Sequence, residues 1–549
     1  MNSKVQVKVP KRSGFDKSHK NLLTTKVGTL TPILVDELIP NSNVNLKAAV
    51  SACLPPLASD TFMSCDLKLE AFFVPHRLVY GGFEKWLTGE KVYDPNDGID
   101  VDVVLPSIVT GGQVPAPLTA KGVYGPGTLF DYLGGKWIAG SSASTVPAGS
   151  QLNPFPILSY YKIWDDWYRN TQVQSPLFYP VVESDYTAFT TLSTLPYITY
   201  GSQYGATNYV YGTNCFLAEG QSAGDKPFLG ELLQRNFGMD YFTIATPKAQ
   251  MGDAKSVSFS TTGSTGSFTI ASLRAANSLQ QFAERNALGG LRMQDYVKNQ
   301  YGADLSSGVA QRTIYLGSTS FNVYSKGIFQ NANGTGTTAT QNPFSSSVGA
   351  EFGSAKASGE GNLVDNFTAN EPGTLMVLAS LVPRVTYSTG LDRLMTRYAT
   401  GSITDMANPM LQNVGNQPIF EYELNCDKYF SASTRDAVFG YTDRYADWKT
   451  KNDELHGLMR DGESLESFAL QRTVSGSPKI NSDFLEIPKD YLDQVSAVAG
   501  DISNYGVWID SYFDYKVAMP LAQYSIPSLQ DPAYEHGIDI TVDVRGSRL

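Results

Sequence analysis

Charge is scarce in this sequence: 17% of its 549 residues are Asp, Glu, Lys or Arg, against roughly 25% in ordinary soluble chains. A chain so poor in charge is expected to bury much of its surface against something other than solvent. Cysteine is scarcer still, with Cys53, Cys65, Cys215 and Cys426 and no C-x-x-C pair, which excludes a disulfide scaffold and fits a reducing compartment. The four histidines, His19, His76, His456 and His536, lie outside metal-ligand spacing of one another, so a zinc site would need long-range assembly. The best apolar run, Leu375 to Val382, is far shorter than the roughly 20 residues of a membrane helix. The stretch after Met1 is polar and basic, unlike a signal peptide. Synthesis in a cytosol without membrane insertion is therefore expected. Heptads and a glycine triplet period are both missing, which excludes coiled coil and collagen.

What is present is aromatic and apolar. Hydrophobic residues make up 42% and aromatics 12%, with 31 Tyr and 27 Phe, enough to build a core and exclude disorder for most of the chain. The length suggests several domains or one domain with large insertions. No linker or internal repeat divides it. The net charge of −11 excludes a surface that grips nucleic acid throughout. The charge is uneven, however. Residues 1–20 hold Lys4, Lys8, Lys11, Arg12, Lys17 and Lys20 against Asp16 alone, a balance of +5 that leaves −16 on the rest. A basic arm on an acidic body suits a polyanionic partner; a solubilising tail has the same composition.

Strand patterns dominate. Leu67, Leu69, Ala71 and Phe73 alternate with Asp66, Lys68 and Glu70, and Ile538, Ile540, Val542 and Val544 alternate with polar residues, the period of a half-buried strand. Residues 256–270 read as a hairpin, and 375–385 as a strand buried on both faces. Helices are fewer. Tyr160, Ile163, Trp164, Trp167 and Tyr168 form one apolar stripe; Leu273, Ala276, Leu279, Phe282 and Ala283 form another. The second helix breaks at Gly289-Gly290 and a further one resumes through Tyr296. Between these lie polar stretches read as loops, at 138–150, at 327–363 and, studded with aromatics, at 181–230.

Chemistry is hard to find. Asp165-Asp166 are neighbours about 100° apart on a helix and read as a solvated face. Gly334-x-Gly336-x-x-Ala339 lacks the strand and helix a dinucleotide fingerprint needs. His76, after Pro75 in an apolar stretch, reads as a packed histidine. Arg444-Tyr445-Ala446-Asp447-Trp448-Lys449 could stack on a nucleic-acid strand, although a packed segment pairing its own charges is the favoured reading. No nucleophile, acid and base come together, and no catalytic residue, metal or cofactor is expected.

Several segments resemble the major capsid protein of the Microviridae, small icosahedral phages with single-stranded DNA. They are Ser13–Lys20 with Leu30–Pro40, Phe72-Phe73-Val74-Pro75-His76-Arg77-Leu78, Ile163-Trp164-Asp165-Asp166-Trp167-Tyr168-Arg169, Asp240-Tyr241-Phe242-Thr243, Leu273–Gly290, and Arg444–Lys449 with His456-Gly457. The resemblance implies an eight-stranded antiparallel jelly roll with long insertions, of which sixty copies form a T=1 shell around a circular single-stranded genome. On that view residues 1–20 are a basic arm and residues 21–549 one capsid domain, with insertions at about 89–150, 181–230 and 317–370. Lys4, Lys8, Lys11, Arg12, Lys17 and Lys20 would face the genome, beside a small basic DNA-binding protein and other minor virion proteins. Tyr186, Tyr197, Tyr200, Tyr204, Tyr209 and Tyr211 would lie on an exposed loop suited to a host receptor. In the gokushovirus branch a long insertion after the Asp-Tyr-Phe-Thr segment forms a three-fold protrusion; here that interval, Gly252 to Ser272, is short. A carbohydrate-binding adhesin or lectin on a jelly roll is the alternative, and a glycoside-cleaving β-sandwich a third reading.

Overall fold

The computed structural model describes most of the chain. Outside the described residues lie 1–3, 114–125, 136–144, 147–150, 179–197, 201–206, 210–231, 253–268, 331–350, 522–536 and 544–549, together with single residues and short stretches between them. No described helix is long and apolar enough to cross a membrane.

The longer strands and those beside them are β1 (Lys4–Pro10), β2 (Ser13–Asp16), β3 (His19–Thr25), β4 (Thr31–Leu38), β5 (Ser42–Cys53), β6 (Cys65–Pro75), β7 (Ile314–Gln330), β8 (Glu351–Ala369), β9 (Gly373–Pro383), β10 (Val507–Met519) and β11 (Gly537–Asp543); β1 and β11 pair with each other apart from the rest. All pair antiparallel. One group runs β4-β9-β6-β7 and the other β8-β5-β10, with β2 and β3 in succession along the free edge of β10. Counting β2 and β3 as one interrupted strand gives two four-stranded sheets, with the strand order of a jelly roll. The sheets join only through β7 and β8. Residues 314–323 of β7 pair with β6, and residues 324–330 pair with β8, whose later residues pair with β5.

Alternation explains how the sheets face each other. Val44, Leu46, Ala48, Val50 and Ala52 of β5 are buried in one cluster with Leu67, Leu69, Ala71 and Phe73 of β6 and with Ile509, Phe513, Tyr515 and Val517 of β10. Phe73 and Phe367 meet across the gap with ring centroids 5.3 Å apart. β9 is buried at every position, its other face covered by α1 (Phe155–Ile163), while the wider helical turn Trp164–Tyr168 that continues the helix sets its rings against Phe72 of β6. A strand covered on both sides needs no polar alternation. Tyr160 fixes that helix: its hydroxyl donates to the Leu30 carbonyl and accepts from the Leu233 amide, both at 2.8 Å.

Several expectations change. The polar stretch read as loop through 327–363 holds the end of β7 and most of β8, and the insertion expected at 317–370 holds most of both, the strands along which the two sheets join. Its small residues have a packing reason. A side chain at Gly359 would collide with the Phe321 ring of β7, and one at Gly361 with Thr319. The arm is no free tail from Ser13 onward, since β2 and β3 are edge strands of a sheet. The hairpin expected over 256–270 lies outside the described residues except at its end, where Thr269 caps α2 (Ile270–Leu288). Only Ala283 and Ala287 of α2 are buried, so its apolar stripe does not face the core. A short helix, α3 (Met293–Tyr301), follows. The described parts of 89–152 and 177–209 form small sheets of two or three strands that do not join the sandwich.

Candidate functional surfaces

The basic arm is partly neutralised by the fold. Lys17 Nζ lies 2.6 Å from Asp36, and Lys20 Nζ 2.8 Å from Asp510. Arg12 donates to the Asn41 side-chain carbonyl. β1 pairs with β11, and the Cα register sets Lys4 opposite Asp543 and Lys8 opposite Asp539. Lys11 lies outside the described residues. Of the aromatic loop, Tyr200 and Tyr209 end two strands, Ile198–Tyr200 and Thr207–Tyr209, that pair with each other. Tyr186, Tyr197, Tyr204 and Tyr211 lie outside the described residues.

Asp165 and Asp166 do not form a solvated face. The wide turn at Trp164–Tyr168 brings both under arginines from distant segments. Asp166 pairs with Lys162 at 3.0 Å and accepts from the Thr313 amide at 3.0 Å, while Asp165 pairs with Arg169 at 2.6 Å. Arg312 lies over the Trp167 ring at 3.8 Å, and Arg292 donates to the Asp165 carbonyl. Burial lowers the pKa of Arg292, its like-charged neighbour Arg169 adding to the effect. The two backbone carbonyls, accepting from Arg292 and Arg312, and the Asp166 carboxylate at the Thr313 amide fasten these segments together, while both carboxylates are ion-paired within their own turn.

A second charged cluster lines two adjoining clefts of about 370 and 420 Å³. At the floor of the first, Glu423 accepts from the Phe420 amide at 2.9 Å and the Tyr241 hydroxyl at 3.0 Å, with Arg393 at 3.5 Å. Burial outweighs these partners and pushes the Glu423 carboxyl up to about 7. Asp447 takes hydrogen bonds from Arg397 at 2.6 Å and Gln417 at 2.9 Å. Asp392 is held by Lys451 at 2.8 Å and by the Leu394 amide at 2.8 Å. Glu423, Asp447 and Asp392 are thus each engaged by their own chain. The segment 444–449 is packed as favoured: Tyr445 and Ala446 are buried, and Trp448 carries the Arg397 guanidinium 4.0 Å above its ring. Sequence reasoning could not reach Arg393, Arg397 or Glu423, because Arg393 meets Glu423 across 30 positions, Arg397 meets Asp447 across 50 and Glu423 meets Tyr241 across 182, and no short motif links them.

His76 is packed as expected. It is 1% exposed, stacks on Phe155 with centroids 4.5 Å apart, and lies 3.2 Å from the Thr374 hydroxyl. Burial pulls its pKa down to about 4. Among the described residues no group of three His, Cys, Asp or Glu is placed to hold a metal ion.

Two four-stranded sheets in this order define a jelly roll, the fold that viral capsid and lectin domains share. The family described as "Capsid protein (F protein)", of phages, matches residues 3–264 and 195–529, and the chain belongs to it. It is similar to the capsid protein VP1 of Chlamydia phage 1, 25% identical over 96% of this chain and 97% of that one. The capsid proteins VP1 of Bdellovibrio phage phiMH2K and of Spiroplasma virus 4 are each 24% identical, over 94% of this chain and 95% of theirs. All three come from gokushoviruses of the Microviridae. The chain is a major capsid protein, a structural component of the virion, and the adhesin alternative is not favoured.

Proposed function

We propose that sixty copies of this chain form a T=1 shell around a circular single-stranded DNA genome, and that the subunit performs no catalysis. The observation that carries this reading is the joint one of jelly-roll strand order and similarity to phage capsid proteins over nearly the full chain. The genome-facing surface includes the basic arm. Since Lys17 and Lys20 are ion-paired within the subunit, at most four arm charges remain for phosphate. The log–log salt slope per arm is then at most about 3 in magnitude, at roughly 0.7 per phosphate of a single strand. A small basic protein supplies most of the remaining neutralisation, and other minor virion proteins complete the particle. The Tyr-rich stretch 181–230 lies outward and meets the host receptor, rigid aromatics giving contact area at low entropic cost. Synthesis takes place in the bacterial cytoplasm.

Electron microscopy of purified particles, with mass measurement, tests the shell. Closed particles of sixty subunits are expected, and an open or non-icosahedral product overturns the reading. Deleting residues 1–12 tests the arm. Shells that assemble but package less DNA support it; equal packaging refutes genome contact.

A further inference from the structure

We infer that β11 is an internal competitor for the basic arm, shielding Lys4 and Lys8 in the free subunit and giving them up to the packaged strand. The inference rests on the proposed contact of arm and genome, and adds its regulation. β1 and β11 form a two-stranded sheet of their own, antiparallel from Lys4 opposite Asp543 to Pro10 opposite Gly537. Directly opposed residues of an antiparallel pair share a face. Lys4 with Asp543, Gln6 with Thr541 and Lys8 with Asp539 therefore occupy one face, and Val5 with Val542, Val7 with Ile540 and Val9 with Ile538 the other. Both faces specify this register. A slip of one residue sets Val7 opposite Asp539 or Thr541 and mixes the faces. A slip of two keeps the faces and loses the charge match: Lys4 and Lys8 then oppose Thr541 and Gly537, or Arg545 and Thr541. Serine or threonine at 539 and 543 would build the same ribbon; aspartate there also neutralises the arm.

Lys17 and Lys20 are already ion-paired with Asp36 and Asp510. With the ribbon closed, at most Lys11 and Arg12 remain for phosphate; with it open, at most four groups do. The ribbon is built to open. Two strands alone are marginally stable in water, and each cross-strand pair adds only modestly. Since β1 and β11 join no strand of the sandwich, parting them leaves the sandwich strands paired. β1 stays tethered through β2, which begins at Ser13 and pairs with β10. A nucleic-acid strand replaces each departing aspartate by a phosphate and adds counterion release, which a carboxylate on the same chain does not supply. A closed ribbon keeps free subunits from gripping other nucleic acids before a genome is at hand.

The test titrates free full-length subunits with a fluorescent oligothymidylate between about 50 and 200 mM salt. Asp539→Asn with Asp543→Asn should add two phosphate contacts. At about 0.7 per phosphate the log–log slope then doubles in magnitude from about 1.4 to about 2.8, and affinity falls about seven times further than that of the wild type over this range. Adding Lys4→Gln with Lys8→Gln should cancel the gain. An unchanged slope in the Asn variant overturns the inference. So does a gain that survives the Gln changes, because it then comes from lost repulsion and not from released lysines. A second readout needs no DNA titration: Gln6→Cys with Thr541→Cys, bridged by a short bis-maleimide and mapped by peptide mass. The bridge should form in free subunits and fall at least tenfold in genome-filled particles. No bridge in free subunits, or equal yield in both states, overturns the inference. If the bridge forms in free subunits but replacing Lys4, Lys8, Lys11 and Arg12 by Gln leaves oligothymidylate binding and packaging unchanged, the contact of arm and genome itself fails, a result distinct from loss of the ribbon.

Discussion

The Tyr168 hydroxyl donates to the Glu70 carboxylate at 2.6 Å, tying the turn after α1 to the middle of β6. Arg235, from a third segment, pairs with the same carboxylate and donates to the Ser380 hydroxyl of β9 at 3.1 Å. Glu70 therefore holds the cover of one sheet to the sheet itself. Burial raises the Tyr168 pKa, with the Glu70 charge contributing, so the phenol stays a donor across the accessible pH range.

Removing Glu70 should be costly. Glu70→Ala leaves the Arg235 guanidinium, 16% exposed, without its counter-charge, and breaking one partner of such a pair costs about 3–5 kcal/mol. Tyr168→Phe removes a single hydrogen bond to a charged group and should cost about 1.5–3 kcal/mol. Urea unfolding of the free subunit measures both. Equal, small losses would show that the pair is solvated.

Glu423 should make stability fall as pH rises. Its folded-state pKa of about 7 lies above the ordinary 4.5 because burial disfavours the anion. The contribution is thus complete below pH 4.5 and is lost as pH rises through 7. Its size is on the order of 3 kcal/mol from the linkage of one pKa unit to 1.36 kcal/mol. Glu486, also raised by burial, acts in the same direction. Glu423→Gln should flatten the pH profile between 5 and 8, as read by thermal unfolding in matched buffers. An unchanged slope would assign it to other groups.

His76 acts with the opposite slope. Its pKa is held near 4 by burial, below the ordinary 6.5, so the neutral ring stabilises the fold above pH 6.5 and that contribution is lost as pH falls toward 4. The ring resonances of His76 should stay unshifted down to about pH 5. Titration of His76 near 6.5 would contradict the burial.

Gly28 has a φ of +67°, and a β-carbon there would come within 2.5 Å of the Ile487 side chain. Gly28→Ala combines a left-handed backbone cost of about 1–2 kcal/mol with overpacking of about 1–3 kcal/mol. A loss of roughly 2–5 kcal/mol is expected in the subunit, measured by chemical denaturation. A neutral result would mean that the segment around Ile487 yields freely.

Parts of this architecture could be read directly from residue order. β6 alternates strictly over Leu67–Ala71, and β9 is continuously apolar, so both were legible. β8 was not, because Gly359 and Gly361 are small to make room for Phe321 and Thr319 on the neighbouring strand; the result has the composition of a loop. The carboxylates at 165 and 166 were misread for a related reason. Their orientation depends on a widened helical turn, and their burial on Arg292 and Arg312 more than 120 positions away. The stripe on α2 was legible as amphipathic, but periodicity does not say whether the apolar side meets its own chain or another.

The strand β10 lies between β3 and β5, pairing Val507 with Thr25 and Val517 with Val44. The middle of that sheet is thus made almost last. A ribosome adding 5–20 residues per second needs about 25–100 s to travel from residue 25 to residue 507. Throughout that interval β3 has no neighbour and one edge of β5 is bare. Unpaired strand edges template association with other chains, and a capsid protein is made in many identical copies. The order of synthesis therefore sets a race between closing each sandwich and premature pairing of nascent copies. Yield in the infected cell should depend on translation speed and on holdase chaperones as much as on the stability of the finished subunit.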